Sequence, residues 1–440
     1  MSIEWVTVLM LSLFFTLLIL GVPMAFMIYG IAIIISLILY DPNILMLGMV
    51  RTFSVMNNYI FVAAPMFIFM GCLLQESGCI EQLFDTLYLW FGPVRGGLAI
   101  ATVICCTIMA AMTGIMGSTV VLMGLVALPQ MLKRGYNKTI ALGSIMAGGS
   151  LGVLIPPSVT FVVYGAMLNV SVTDLFAGGM MPGLLLSGLF VAYIVTISLI
   201  NPRLCPAMSE EERTVPLRQK IVRAKYIVLP GLLILLVLGS IYLGIATPTE
   251  AAGVGCAGTV AIAAIHRRFS WKMVKNSALT TMKSTGMIIW IIFAAFYLVG
   301  IYSKAGGADY IEKTMLGLGL SGWGIVIVTQ LVIIILGMFI DWIGILLLVM
   351  PFAHAMAVKM GFDPVWFGVL FVMNTQIAYL SPPFASAIFF LKGVAPKDVT
   401  MADMYRSVWP FMGLQVLGMI IVMIFPQIAL WLPHLLYGSQ

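Results

Sequence analysis

Between residues 5 and 432 the chain is a nearly continuous succession of apolar runs, most of them as long as a helix must be to cross a bilayer. A helix rises about 1.5 Å per residue, so roughly 20 apolar residues cover a hydrocarbon core of about 30 Å. Ten runs qualify as ordinary crossings: residues 5–21, 24–40, 53–74, 139–168, 175–200, 226–244, 249–265, 286–302, 366–391 and 408–432. Backbone polar groups find no water in that solvent, so each run must satisfy its own hydrogen bonds as a helix. Composition agrees, since 62% of the 440 residues are hydrophobic and 9% are charged, whereas soluble domains carry about 25% charged residues. The net charge of +6 does not point to nucleic acid, because the 22 basic residues sit in short polar breaks and form no continuous basic face. None of the six cysteines has CxxC spacing and most fall in apolar runs, so neither a disulfide framework nor a metal site is expected. The first run has no Lys or Arg before it and carries Glu4, which favours a retained membrane helix over a cleaved signal peptide.

Two further apolar stretches, 97–132 and 322–358, are too long for one upright helix and too short for two crossings with a turn. Each reads as a re-entrant hairpin. The basic residues test this, because short cytoplasmic loops collect Lys and Arg. With both stretches as hairpins, 18 of the 22 basic residues fall on one side and only Arg51, Lys304, Lys313 and Lys359 on the other. Making either stretch a simple span reverses every later loop and destroys the bias. The basic side is then cytoplasmic and both termini are external.

The polar linker 201–225, with Glu210, Glu211 and Glu212 followed by alternating bases, divides the chain into halves that repeat one order of elements. Each half has three helices, an amphipathic stretch (80–91 or 308–318), a hairpin, a Pro-interrupted helix and a last helix. Gly135 precedes Pro156-Pro157 by 21 positions, and Gly361 precedes Pro382-Pro383 by the same 21. Pro129 and Pro351 occupy the second arms of the hairpins, and Ser171-x-x-Asp174 and Thr400-x-x-Asp403 precede the last helices as capping-box patterns. The halves enter the membrane from opposite sides. The fold class is therefore an all-α polytopic membrane protein of two inverted-topology repeats with re-entrant hairpins and Pro-interrupted helices. Such duplications place their site near mid-membrane, where discontinuous helices meet. The segments divide as the first three helices and arm (1–94), the first hairpin, broken helix and last helix (95–200), the linker (201–225), the second set of helices and arm (226–321) and the second hairpin, broken helix and last helix (322–440).

Four broken segments carry the candidate chemistry: the hairpin turns 113–119 and 337–344, and the interruptions 148–158 and 374–383. Proline lacks an amide proton, so a Pro-Pro pair frees carbonyls of the preceding turn, and at membrane depth these must find a ligand, a neighbour or water. Carbonyl and hydroxyl oxygens suit a hard cation such as Na⁺, and the positive ends of half-helices suit a carboxylate. Asp341 is the one acid placed well inside an apolar stretch, where ionisable residues are functional by default. Glu250 in Thr247-Pro-Thr-Glu250 instead fits a structural capping box with Pro at the first helical position. Trp342 reads as interfacial packing, and His266, His354 and His434 are too scattered for a cluster.

With those residues in view, the chain resembles the large membrane subunit of tripartite ATP-independent periplasmic (TRAP) transporters over nearly its whole length. The strings that carry the resemblance are Leu154-Ile-Pro-Pro-Ser158, Phe176-Ala-Gly-Gly-Met-Met-Pro-Gly183, Gly244-Ile-Ala-Thr-Pro-Thr-Glu-Ala-Ala-Gly253 and Leu336-Gly-Met-Phe-Ile-Asp341. The arrangement is also similar to the divalent anion/sodium symporters, so the resemblance implies an elevator-type transporter. The resemblance implies a fixed scaffold, a mobile transport domain and Na⁺-driven uptake of an organic acid across a bacterial or archaeal inner membrane. It also implies a small four-helix membrane partner and a periplasmic substrate-binding protein that docks outside. No cofactor beyond Na⁺ as coupling ion is implied. Carried onto matching positions, one Na⁺ would lie between the first tip (Gly114, Gly117, Ser118) and the first break (Gly149, Gly152, Pro156). The other would lie between Phe339 and Asp341 of the second tip and Thr375, Ala378 and Pro382 of the second break. Substrate would rest near Ser118, Thr119, Ser158, Asn374 and Ser381. In the family pattern Pro-Thr follows the aspartate, whereas this chain has Trp342-Ile343, so the second cation site lacks the threonine that pattern supplies. The competing classes are a stand-alone Na⁺- or H⁺-coupled anion symporter, which would need no partners, and a membrane enzyme, for which the chain offers no clustered acids or histidines.

Overall fold

The computed structural model describes residues 2–207, 216–317 and 319–438, leaving out the side chains of 217 and 219. Among them all regular structure is helical. The first half runs α1 Ile3–Ile19, α2 Met24–Leu39, α3 Leu45–Met56, α4 Ala63–Glu76 and α5 Cys79–Phe91. It continues with hairpin arms α6 Gly97–Thr113 and α7 Met116–Lys133, broken helix α8 Lys138–Ser150 plus α9 Val159–Leu168, and last helix α10 Val172–Ile200. After the linker helix α11 Leu217–Arg223 come α12 Lys225–Tyr242, α13 Pro248–Ile265, α14 Trp271–Lys304 and α15 Gly307–Gly317. The second hairpin is α16 Gly322–Gly337 followed by α17 Trp342–Leu348 and α18 Met350–Lys359. The second broken helix is α19 Pro364–Leu380 plus α20 Ser386–Lys392, and α21 Met401–Ile424 and α22 Gln427–Tyr437 close the chain. Seven of the described helices are long and apolar enough to cross a membrane, or nine if each bent pair counts as one span.

Both hairpins and both interruptions lie where the sequence places them. The 21-residue spacing has a local cause. Gly135 and Gly361 sit at φ +76° and +84°, left-handed positions that glycine adopts without steric cost. Each ends a hairpin arm in a Schellman cap: the amide of Tyr136 donates to Met131 O at 3.0 Å, and that of Phe362 to Ala357 O at 3.1 Å. The next residue starts the following helix. Asn137 Oδ1 accepts from the Thr139 amide at 2.8 Å, and Asp363 Oδ1 from the Val365 and Trp366 amides at 2.8 and 3.0 Å. One glycine–aromatic–Asn/Asp turn thus sets the start of each broken helix, and both Pro-Pro bonds are cis.

Four expectations need correction. Run 53–74 is not one helix, because Asn58 accepts from the Ile60 amide at 3.1 Å and caps a new start; the span is Tyr59–Glu76, and α3 ends before it with Phe53 and Met56 more than 60% exposed. Run 286–302 is the end of the 34-residue α14, whose first turns bury Met273, Ser277 and Thr281 at helical spacing while Lys272, Lys275 and Lys283 face outward. Run 408–432 is two helices, since α21 ends at Ile424 and Pro426 starts α22. The linker 201–225 contains helix α11, while Glu210, Glu211, Glu212 and Arg213 lie outside the described residues. The Thr400 and Thr247 capping boxes are complete, so Glu250 is a structural cap; Ser171 makes only half a box, accepting from the Asp174 amide.

Helices α2, α4, α13 and α14 pack on one another across the two halves, as do α8 with α21 and α10 with α22. At the second of these contacts Lys138 Nζ meets Asp403 Oδ2 at 3.0 Å and donates to Asp398 O at 2.8 Å. The hairpin arms α6 and α7 lie along α8, and α16 lies along α19, so each hairpin leans on the broken helix of its own half.

Candidate ion and substrate sites

In the first half, tip and break are pressed together. Gly114 turns the tip at φ +60°, and a Cβ there would stand 2.7 Å from Pro157 O. A Cβ on Gly152 would stand 3.4 Å from the Ile115 carbonyl group, and one on Gly149 would stand 2.4 Å from the Val120 side chain. These glycines let backbone approach backbone, the condition for carbonyl oxygens of two segments to share one cation. The Ser118 and Thr119 hydroxyls both donate to Ile115 O, at 3.3 and 3.2 Å, so they are held at the tip. Gly117 faces elsewhere: its Cβ would stand 2.9 Å from the Phe390 ring of α20, in the other half. Pro156 is buried within the break.

The second pair repeats this closeness. A Cβ on Gly337 would stand 2.3 Å from Ala378 Cβ, and the Phe384 amide, just past Pro382 and Pro383, donates to Met338 O at 3.2 Å. Asp341 is the N-cap residue of α17. It lines a cavity of about 10 Å³ together with Trp342, Thr375, Ala378, Tyr379 and Ser386, room for roughly one water-sized particle. Thr375 Oγ1 donates to Val372 O at 2.7 Å, and Phe339 is half-exposed on the outer side of the tip. The Ser386 hydroxyl oxygen is buried and has no hydrogen-bond partner among the described residues, and it faces the Asp341 cavity from α20. Sequence reasoning missed it; a serine beyond a Pro-Pro pair is the signal that could have found it.

Of the five substrate candidates, Ser158 and Ser381 lie in the breaks that press on the tips, whereas Asn374 is held farther along its helix. Ser158 is fully buried and donates back to Val153 O across the break. Ser381 donates to Ile377 O at 2.8 Å. Asn374 Nδ2 donates to the backbone oxygen and to Oε1 of Gln330, at 2.9 and 2.6 Å, and so ties α19 to the middle of the first hairpin arm α16.

A buried amide cluster also escaped the sequence. Ser150, the last residue before the first break, accepts from Gln415 Nε2 at 2.9 Å; its hydroxyl donates to Ala147 O at 2.8 Å, with Gln376 Oε1 as a second acceptor at 3.3 Å. All three side chains are at most 1% exposed. The cluster joins α8, α19 and α21, and so links the two broken helices through one hydroxyl. Gln376 Nε2 and Gln415 Oε1 have no partner among the described residues.

Comparison with known proteins adds sequence and fold. The family described as "Tripartite ATP-independent periplasmic transporter, DctM component" matches residues 11–428. The chain is 32% identical over 445 residues to the C4-dicarboxylate TRAP transporter large permease protein DctM of Vibrio cholerae, covering 96% of each. It is 31% identical over 384 residues to the ectoine/5-hydroxyectoine large permease protein UehC of Ruegeria pomeroyi, covering 86% of this chain and 87% of that one. In three dimensions it is similar to the Alcanivorax borkumensis YdaH transporter, with a TM-score of 0.61 at 15% identity over 96% of this chain and 99% of that one.

Proposed function

This chain belongs to the DctM component family of tripartite ATP-independent periplasmic transporters, and from that premise we propose that it drives Na⁺-coupled uptake of an organic acid anion by an elevator mechanism. The observation that carries the proposal is the pair of tip–break contacts, each built from a hairpin and a cis Pro-Pro interruption of the same half. One Na⁺ sits among oxygens of the first tip (Gly114, Gly117, Ser118) and first break (Gly149, Gly152, Pro156). The second sits in the Asp341 cavity, among oxygens of Phe339, Asp341, Thr375, Ala378 and Pro382. Ser386 supplies there the hydroxyl that Trp342-Ile343 leaves out. Substrate lies between the tips near Ser118 and Thr119, with the positive ends of α7 and α9 favouring a carboxylate; Ser158, Asn374 and Ser381 shape the wall behind it. Relatives named for a C4-dicarboxylate and for ectoine support an organic acid as the substrate class.

The partners are a small four-helix membrane subunit beside the scaffold and a periplasmic binding protein that presents substrate at the external face. Residues 95–200 and 322–440 move as the carrier against 1–94 and 226–321, with the basic side of the chain cytoplasmic. The test is uptake into proteoliposomes holding this chain and the small subunit, with and without the binding protein and an inward Na⁺ gradient. Uptake that requires both supports the proposal. Uptake without the binding protein makes the chain a stand-alone symporter, and Na⁺ independence removes the ion assignment.

A further inference from the structure

The end of the molecule that carries the linker holds a cavity of about 470 Å³ between the amphipathic arm α5, the linker helix α11 and the start of α12. Its wall is cationic. Arg223 closes α11, Lys225 opens α12, and Arg268 follows α13, with Gln82, Asp85 and Tyr226 between them. Arg268 is fixed: its Nη1 donates to Gly78 O at 3.1 Å, and a Cβ on Gly78 would stand 1.9 Å from that nitrogen. Lys225 Nζ lies 5.0 Å above the Tyr226 ring, which in turn packs on His266 at 5.1 Å. Desolvation, then Lys225 and Arg268, hold the His266 imidazole below its usual range.

Two acids face these cations from α5, Glu81 and Asp85. Burial raises the Asp85 carboxyl and Arg223 opposes that shift. Against these two stand the three cations that line the cavity, Arg223, Lys225 and Arg268, with Arg218, Lys220 and Arg267 close by in sequence. The excess of positive charge has no counter-ion among the described residues.

The rim is apolar. Ile221 and Val222 on α11 are 59% and 58% exposed, and Trp271, three residues past Arg268, is 79% exposed. A water-filled vestibule for a soluble anion gains nothing from bare aliphatic and indole surface. A phospholipid uses both parts, since its phosphate meets the cations while its chains cover the apolar rim.

We propose that this pocket is a binding site for the headgroup of an anionic phospholipid, with the phosphate seated between Arg223, Lys225 and Arg268 and the acyl chains lying over Ile221 and Val222. The site joins the arm that leads into the first hairpin to the scaffold helices, and bound lipid would brace that joint. The proposal is independent of the coupling ion and the substrate.

The test is native mass spectrometry of the detergent-purified, delipidated full chain titrated with phosphatidylglycerol, phosphatidylcholine or inorganic phosphate, read beside thermal stability. Phosphatidylglycerol should bind and raise the melting temperature, and phosphatidylcholine should do neither. R223Q/K225Q/R268Q should weaken phosphatidylglycerol binding by about 100-fold, from roughly fivefold per cation near a membrane surface. The control R203Q/K397Q, which removes two exposed cations outside the pocket, should bind as the parent does. If the triple variant is not monodisperse, the exposed K225Q alone should weaken binding by about fivefold. Equal binding of both lipids, or unchanged affinity in the variants, overturns the proposal. Stabilisation by inorganic phosphate equal to that by the lipid also overturns it, and assigns the pocket to a soluble phosphate.

Discussion

Asp341 and Ser386 face one small cavity from opposite sides of the second tip–break contact. A carboxylate there is the one formal charge available to offset a cation, and Coulomb energy at short range in a protein interior is worth several kcal/mol at most effective dielectrics. Asp341→Asn is therefore expected to raise the Na⁺ concentration for half-maximal uptake by about tenfold or more, measured in proteoliposomes with the binding protein present. Unchanged Na⁺ dependence would take Asp341 out of the site. The Ser150–Gln376–Gln415 cluster makes a different demand. Gln415→Leu withdraws the donor to Ser150, and losing a buried hydrogen-bond partner costs about 1–3 kcal/mol. Gln376→Leu removes an acceptor from the same hydroxyl. Because both act on one group, Q376L/Q415L should cost less than the sum of the single changes, as read from melting in detergent. Asp341 was legible in the sequence because an acid in an apolar run stands out. Gln330, Gln376 and Gln415 were not, since an uncharged amide in such a run looks the same whether it faces lipid, a ligand or another amide.

At the scale of elements, the glycine–aromatic–Asn/Asp turn and the tip contacts call for glycine for different reasons. Gly361 has open space around it, so Gly361→Ala pays only for a left-handed backbone, about 1–2 kcal/mol, and transport by the folded fraction should be unchanged. Gly337 has ordinary backbone but no room, with Ala378 Cβ 2.3 Å from where its Cβ would be. Gly337→Ala should pry the second tip from its break and weaken Na⁺ dependence at modest cost in stability. Uptake kinetics and melting of the two variants separate these outcomes. The hairpins and breaks could be read from sequence because Gly and Pro interrupt hydropathy in a pattern that occurs twice. The boundaries of 53–74 and 408–432 could not, because Asn58 and Pro426 act through a single cap and a single missing amide, which barely alter the average hydropathy of a run. The early turns of α14 were missed for a related reason, as their apolar face is only one stripe of a helix that also carries three lysines.

For the whole molecule, the 18 to 4 split of basic residues predicts which face is cytoplasmic. Single cysteines introduced at Lys397 and at Lys313, in a chain whose native cysteines are replaced, should be labelled by a membrane-impermeant thiol reagent from opposite faces. In intact cells only the Lys313→Cys variant should react, and labelling of both from outside would break the topology. The fold at this scale was legible because two matched halves leave few ways to arrange them. The packing between the halves was not, since no spacing rule says that α8 meets α21, that Phe390 covers Gly117, or that one serine serves both broken helices. That packing changes how the linker is best understood. Each half supplies walls, hydrogen-bond partners and an ion pair to the other's machinery, so energetically the halves are the two subunits of an obligate heterodimer. The tether between them converts a bimolecular association into an intramolecular one, at an effective concentration in the millimolar range typical of short connections.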